Sequence, residues 1–197
     1  MRVVVFDTET TGFMPGNICQ LSYIIDDSGP VLTKNLYFKV GYVEPGAERV
    51  HGLSVPVLDK LSGGRAFADC AEEIYNDFMS CGFWIAHNYD FDRRFLEVEF
   101  RRAGIEFFGK KHFCTMRGLT SVCKLPRAGK KYSPGGYKYP RLSELMDCLG
   151  ISTEEITKQA SALFSTPETS GFHDARVDTA AVYLCYKKGV CHPAEGM

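Results

Sequence analysis

Two acidic residues follow an apolar run close to the start of the chain. The sequence VVVFDTET occupies residues 3–10, and Asp7 and Glu9 lie two positions apart in it. Side chains two apart on a β-strand point to the same face, so the two carboxylates would lie side by side. Adjacent carboxylates repel each other, and a shared proton or a bound cation relieves the repulsion. Taken alone, the pattern is typical either of a cation site or of a solvated turn after a strand.

A third acid, Asp92, begins a stripe of apolar residues. Leu96, Phe100 and Ala103 follow it at helical spacing within residues 88–104, which predict one helix. Asp92 would therefore lie at the N-terminal end of the buried face, where an acid needs a partner or a metal ion. A favourable interaction with the helix dipole is the alternative, and it is sufficient to explain Asp90.

Asp178 repeats this arrangement in the last predicted helix, residues 174–188, where apolar side chains follow it at helical spacing. His173 precedes Asp178 by five residues. Five helical residues rotate a side chain by about 140°, so the two do not share a helical face. We therefore expect His173 on the preceding loop. A surface histidine at a helix start is the ordinary interpretation of such a residue.

Together, the four acids and the histidine indicate a more specific chemistry than any one of them. Oxygen ligands from carboxylates favour Mg²⁺ or Mn²⁺ over zinc. Two such ions about 3.5–4 Å apart stabilise the attacking and leaving oxygens of an in-line phosphoryl displacement. A histidine with an ordinary pKa can accept the proton of the attacking water.

Three segments resemble the motifs of the DEDDh 3′→5′ exonucleases, the DnaQ-like group with a ribonuclease H-like fold. They are VFDTETTG, AHNYDFDRRFL and HDARVD, which occur in the family's order between residues 5 and 178. VHGLS, residues 50–54, also resembles a substrate-contact segment of that family. The resemblance implies a hydrolase that releases nucleoside 5′-monophosphates from DNA or RNA 3′ ends.

The resemblance also implies a role for individual residues. Four acids would hold two Mg²⁺ or Mn²⁺ ions, a histidine would be the general base, and further residues would contact the terminal nucleotide. The implied metal ligands are Asp7, Glu9, Asp92 and Asp178, the implied base is His173, and the implied substrate contacts are Thr10, Phe13, His51 and Asn88. A nucleic-acid-binding module on an inactive nuclease fold is the alternative function. The presence of all five catalytic residues favours the enzyme.

The remaining pattern predicts the elements that would position these residues. Strands are expected at 2–7, 18–26, 31–40, 83–86 and 112–116, and helices at 68–80, 88–104, 115–123, 141–150, 154–164 and 174–188. Residues 41–54 read as a loop, with Ser54 beginning a helix. Strands followed by alternating helices and strands predict an α/β fold, with a mixed sheet covered by helices on both faces. We expect one domain over residues 1–197.

Charge and composition limit the partners. The formal net charge is −1, so nucleic-acid binding would depend on a local patch. Residues 124–141 offer one, with six basic residues, three tyrosines and no acid. They could bind a single strand by phosphate contacts and stacking, or form a solvated loop. We expect single-stranded nucleic acid or the 3′ ends of duplexes as substrate, and a polymerase or repair assembly as a partner in trans. Sugar preference and oligomeric state stay open.

The cysteines and the hydropathy pattern predict a cytoplasmic protein. The eight cysteines form no C-x-x-C pair, so a zinc site has no support, and most have apolar neighbours, as reduced thiols do. No apolar run approaches the roughly 18 residues that a membrane-spanning helix requires.

Overall fold

The protein is built on a five-stranded mixed sheet. The computed structural model describes residues 1–14, 16–126, 136–165 and 173–191. Its strands are β1 (Val3–Thr10), β2 (Ile18–Asp26), β3 (Leu32–Tyr37), β4 (Phe83–Ala86) and β5 (His112–Cys114). They lie in the order β3-β2-β1-β4-β5. β1, β2 and β3 pair antiparallel, whereas β4 runs parallel to both β1 and β5.

Nine α-helices surround this sheet in the described part of the chain. They are α1 (Pro45–His51), α2 (Val55–Ser62), α3 (Phe67–Met79), α4 (Tyr89–Arg102), α5 (Thr115–Gly118), α6 (Thr120–Cys123), α7 (Leu142–Leu149), α8 (Thr153–Phe164) and α9 (Ala175–Tyr186). A π-helical turn, Lys187–Cys191, continues α9.

Both faces of β1 are buried, which makes it the central strand. Val4 and Phe6 pack on one face with side chains of α3 and α4. Val3 and Val5 pack on the other with Val182 of α9. A strand buried on both faces is stabilised by continuous apolar sequence, which residues 3–6 provide. The predicted α/β fold, a mixed sheet with helices on both faces, is confirmed.

The predicted hairpin, the strand at 83–86 and the long helices are confirmed with small shifts at their ends. The single helix expected at 115–123 is instead two short helices, which meet at Leu119. The loop expected at 41–54 was wrong, because it contains α1. None of the residues of α1 is buried, so it has no apolar stripe to reveal it. Its signals are local: a proline in its first turn and Gly52 in the left-handed conformation (φ 73°) at its end.

β1 is also longer than predicted, since it continues through both acids to Thr10. β2 supplies the reason: it pairs with β1 along its whole length, with a bulge between Glu9 and Thr10. Pairing with β2 provides hydrogen-bond partners for the backbone N–H and C=O groups of β1 beyond its apolar run, where the acidic sequence alone predicts a turn. Asp7 and Glu9 therefore lie within a strand, on the face covered by α9.

The cysteines follow the predicted pattern in part. Cys19, Cys70, Cys81 and Cys185 are buried, Cys148 is exposed, and no disulfide occurs among the described residues. No helix in the described ranges is long and apolar enough to cross a membrane.

Candidate functional site

The predicted acids meet at the carboxyl end of β1. Glu9, Asp92 and Asp178 are only 8%, 3% and 8% exposed, and Asp7 is partly exposed. Asp92 lies in the first turn of α4, where it accepts a hydrogen bond from the Thr8 hydroxyl (2.7 Å). Asp178 lies in the first turn of α9, where its Oδ2 accepts one from the His173 backbone N–H (3.2 Å). One strand and two helix starts thus bring the acids together.

The four carboxyl groups are electrostatically destabilised. Burial and then the charges of its acidic neighbours raise the pKa of Asp7 well above its ordinary value. Burial is the main cause for the others too, raising the pKa of Glu9 to about 9 and those of Asp92 and Asp178 to about 7. None of the four forms a salt bridge with another described residue. A buried acid without a counter-charge favours protonation or cation binding.

The donor atoms fit a divalent metal ion. One ligand atom from each of Glu9, His173 and Asp178 lies within 4.8 Å of the others. Oδ1 of Asp178 is buried and has no hydrogen-bond partner within the described parts of the chain. A buried unsatisfied carboxylate oxygen needs an explanation, and a metal ligand is one. Asp7 and Asp92 are not in this close group but interact with it electrostatically.

Two histidines lie near the acids, and their environments differ. Nδ1 of His87 is 3.0 Å from the Thr115 hydroxyl. Burial lowers the pKa of His87 to about 4, opposed in part by a hydrogen bond to the Pro140 carbonyl. His87 is therefore neutral, and its ring is already hydrogen-bonded to Thr115 and Pro140. His173 is exposed, stands before α9 with a positive φ of 72°, and directs its ring to Glu9 and Asp178. Sequence reasoning overlooked His87, although it belongs to AHNYDFD.

A cavity of about 200 Å³, here called the Phe13 cavity, adjoins the acids, with Glu9 on its wall. It contains three of the four predicted substrate contacts, Thr10, Phe13 and His51. Phe13 is 82% exposed, which leaves its ring available for stacking. The fourth, Asn88, does not line this cavity. It is the exposed N-cap of α4, in the left-handed conformation (φ 61°).

His51 also has a structural task in this cavity. The Leu53 backbone N–H donates to its Nδ1 (3.0 Å), so the ring proton is on Nε2, which donates to the Thr10 carbonyl (3.2 Å). Burial lowers the pKa of His51, which favours this neutral form. His51 therefore holds the end of α1 against the end of β1.

A second polar network fixes the start of α9. Asp174 caps the helix, accepting hydrogen bonds from the backbone and guanidinium of Arg176. The Gln20 side chain of β2 donates to Asp174 (3.0 Å) and to Asn35 of β3 (2.8 Å). The network ties α9 to two strands and so positions Asp178. Sequence analysis did not single out Gln20 or Asp174.

The predicted basic segment 124–141 is described only at its ends. Arg127, Lys130 and Lys131 lie outside the described residues, so strand binding by this segment stays a prediction. Lys138 forms a salt bridge with Glu144. Arg141 lines a cavity of about 480 Å³, here called the Arg141 cavity, together with Asp7, His173 and Asp178.

Neutralising Asp7 should stabilise the metal-free protein. We expect Asp7→Asn to raise the metal-free Tm by a few degrees, because about 1 kcal/mol corresponds to about 2–4 °C for a protein of this size. The variant should also lose the rise in Tm that we expect Mn²⁺ to produce in the unmodified protein. Thermal unfolding with EDTA or Mn²⁺ measures both. Asp90→Asn, which removes a partly exposed acid paired with Arg117, is the matched control and should keep the Mn²⁺ response. An equal response in Asp7→Asn would contradict the site.

The raised pKa values also predict how stability depends on pH. A carboxyl group whose pKa is higher in the folded than in the unfolded state stabilises the fold at low pH and loses that contribution as the pH rises through the folded pKa. For Asp92 and Asp178 that pKa is about 7. Because these carboxyl groups ionise at about pH 4 in the unfolded chain, the metal-free Tm should fall from about pH 5 to about pH 7, below the range in which unfolded thiols ionise. Saturating Mn²⁺ should flatten the decline, and a metal-free Tm that rises over this range would contradict it.

The chain is similar in sequence to curated proteins of known name. No protein-family model matches the chain. Two curated relatives are both named DNA polymerase III subunit epsilon. The Buchnera aphidicola protein is 27% identical over 140 residues, 66% of this chain and 58% of the relative. The Pasteurella multocida protein is 25% identical over 172 residues, 82% and 63%. The chain spans less than two thirds of the length of these relatives.

Solved structures of E. coli exonuclease I share the fold. The zinc-bound complex with single-stranded DNA superposes with a TM-score of 0.73 at 19% identity, covering 98% of this chain and 41% of that one. The complex with a dA16 oligonucleotide gives a TM-score of 0.70 at 18% identity, covering 95% and 40%. Sequence similarity to epsilon subunits and the fold shared with exonuclease I support the resemblance of the three motifs to those of the DEDDh (DnaQ-like) exonucleases of the ribonuclease H-like superfamily.

Proposed function

We propose that the protein is a metal-dependent 3′→5′ exonuclease that releases nucleoside 5′-monophosphates. The observation that carries this proposal is the acid cluster itself: Asp7, Glu9, Asp92 and Asp178 are held together without a described counter-cation, beside an exposed histidine. Such a cluster lowers stability, and sites of this kind are typical of function rather than of folding. A module that only binds nucleic acid would gain nothing from repelling a polyanion at the end of β1.

The four acids would hold two Mg²⁺ or Mn²⁺ ions, with Glu9 and Asp178 as the ligands that already converge. When bound, such ions supply Lewis-acid stabilisation of the phosphate charge and lower the pKa of a bound water. The protein contributes fixed ligand positions: Thr8 orients Asp92, and the His173 backbone orients Asp178. Ligands fixed before binding reduce the reorganisation that catalysis would otherwise require.

His173 would accept the proton of the attacking water. Its exposure and its place before α9 allow the ring to reach a water between it and the acids, whereas His87 is already hydrogen-bonded. The water oxygen bonds to the terminal phosphorus, and the bond to the 3′ oxygen of the preceding nucleotide breaks. That oxygen leaves with a proton as a new 3′ hydroxyl, and the phosphate remains on the released nucleoside.

The terminal nucleotide would occupy the Phe13 cavity. Phe13 would stack on the terminal base, and Thr10 would contact the 3′ hydroxyl, with His51 fixing the Thr10 carbonyl from behind. Stacking on an aromatic ring tolerates any base, which suits a single strand of mixed sequence. Asn88 would contact the strand outside this cavity.

Single-stranded nucleic acid, or a 3′ end that frays into one, is therefore the proposed substrate. Structures of exonuclease I complexes with single-stranded DNA support this choice, since they share the fold. The names of the curated relatives support a polymerase assembly as a partner in trans. A single domain over residues 1–197 and a cytoplasmic location are proposed with it.

The direct test is digestion of 5′-labelled oligonucleotides with Mg²⁺ or Mn²⁺. We expect stepwise shortening from the 3′ end of single-stranded substrates, with mononucleotides as products, and no shortening in EDTA. Parallel DNA, RNA and duplex substrates report the sugar and strand preference. Asp7→Asn should be inactive and Asp90→Asn active. A protein that binds the oligonucleotide but leaves its length unchanged with either ion would refute the exonuclease and support the binding module.

Replacing His173 distinguishes the role of a general base from that of a metal ligand. His173→Ala should lower kcat by about 10²–10⁴-fold, the usual contribution of a general base. The rise in Tm with Mn²⁺ should persist, because the carboxylates remain. Steady-state kinetics and thermal unfolding on the same preparation measure the two effects. Loss of the Mn²⁺ response together with activity would instead make His173 a metal ligand.

A further inference from the structure

Two separate cavities adjoin the acid cluster. The Phe13 cavity has Glu9 on its wall, and the Arg141 cavity has Asp7 and Asp178 on its wall. Asp7 and Glu9 are two residues apart on β1, so a strand that reached both cavities would cross the acids between them. If the terminal nucleotide fills the Phe13 cavity, the preceding nucleotides extend toward the Arg141 cavity.

Arg141 has a fixed backbone, and within the described part of the chain its side chain forms no salt bridge. Its backbone N–H donates to Glu144 Oε2 (2.8 Å), which sets the start of α7. The hydrogen bond from His87 to the Pro140 carbonyl anchors the residue before it to the end of β4. Among the described residues the guanidinium forms no salt bridge, although Asp7 and Asp178 line the same cavity.

The surroundings of Arg141 favour an anion. Leu142 and Ser143, the first two residues of α7, line the same cavity, so the partial positive charge of the helix start faces it. Ser143 is exposed, and its side chain type adds a hydroxyl donor to the lining of this cavity. Arginine binds phosphate through two parallel N–H groups, a geometry that lysine cannot reproduce.

We propose that Arg141 binds the phosphodiester that precedes the scissile one, on the 5′ side of a bound single strand. This inference rests on the proposed exonuclease function and adds a subsite to it. The scissile phosphate would lie at the acids, so Arg141 serves the next phosphate along the strand. A substrate with only one phosphodiester would not use it.

Two substrates separate this subsite from the reaction centre. The p-nitrophenyl ester of thymidine 5′-monophosphate has the scissile phosphodiester alone, and a single-stranded oligonucleotide has the preceding ones too. Arg141→Ala should lower kcat/KM for the oligonucleotide by about 10–100-fold, the size expected for a hydrogen bond between charged groups. It should leave kcat/KM for the ester unchanged. Arg141→Lys should recover part of the loss. Arg101→Ala, at the far end of α4 from Asp92, is the control and should match the unmodified protein on both substrates.

The contact between Arg141 and the preceding phosphodiester can be tested by changing the phosphodiester chemically. An oligonucleotide with a neutral methylphosphonate in place of the penultimate phosphodiester should bind the unmodified protein and Arg141→Ala equally, as measured by fluorescence anisotropy. With the natural strand, the slope of log K for binding against log salt concentration should be shallower by about 0.7 for Arg141→Ala than for the unmodified protein. That is the change expected when one phosphate contact to a single strand is lost. Unchanged Tm values exclude a folding defect.

The outcomes separate this inference from the proposed function. Equal losses on ester and oligonucleotide would overturn the subsite and move Arg141 to the scissile phosphate. Equal binding of the natural, fully charged oligonucleotide by both proteins would overturn it too. If the unmodified protein cleaves neither substrate, the exonuclease proposal fails. The binding comparison with the methylphosphonate then still decides whether Arg141 holds a phosphate.

Discussion

Repulsion between buried carboxylates is the constraint around which this protein is organised. Asp7, Glu9 and Asp178 share one end of the sheet, and burial raises the pKa of each. The fold tolerates this because β1 is fixed elsewhere: Val3–Phe6 are buried on both faces, and β2 pairs along the whole strand. The apolar half of one strand thus stabilises its acidic half. A bound cation would turn the same repulsion into binding energy and so link the stability of the fold to the proposed chemistry.

The two helices that deliver acids begin in a similar way. Asn88 stands before α4 and His173 before α9, both at positive φ (61° and 72°). The left-handed region costs a residue other than glycine roughly 1–2 kcal/mol, and such strain concentrates at functional sites. Each is followed within five residues by a site acid, Asp92 or Asp178. The sharp turn lets a helix start directly at the sheet edge, which places a first-turn acid beside β1.

Much of the fold could be predicted from periodicity, and the exceptions have physical causes. α3, α4 and α9 each bury a stripe of apolar side chains, so spacing revealed them. α1 buries none of its residues, so nothing in its hydropathy marked it as a helix. β1 extends beyond its apolar run because β2 supplies the hydrogen bonds, and a partner strand is invisible to a local pattern.

The sequence by itself predicted which residues would carry the chemistry. Paired acids on a strand, an acid at the head of each of two apolar stripes and a histidine before the second were sufficient to name the cluster. Only the tertiary structure decided how these residues are arranged. It distinguished His87, whose ring is hydrogen-bonded, from the exposed His173. It also placed Phe13 in one cavity with Thr10 but without Asn88, and Arg141 in another cavity with Asp7 and Asp178. The physical reason is that spacing along the chain fixes which face a side chain occupies, whereas contacts between distant segments exist only after the sheet and helices have packed.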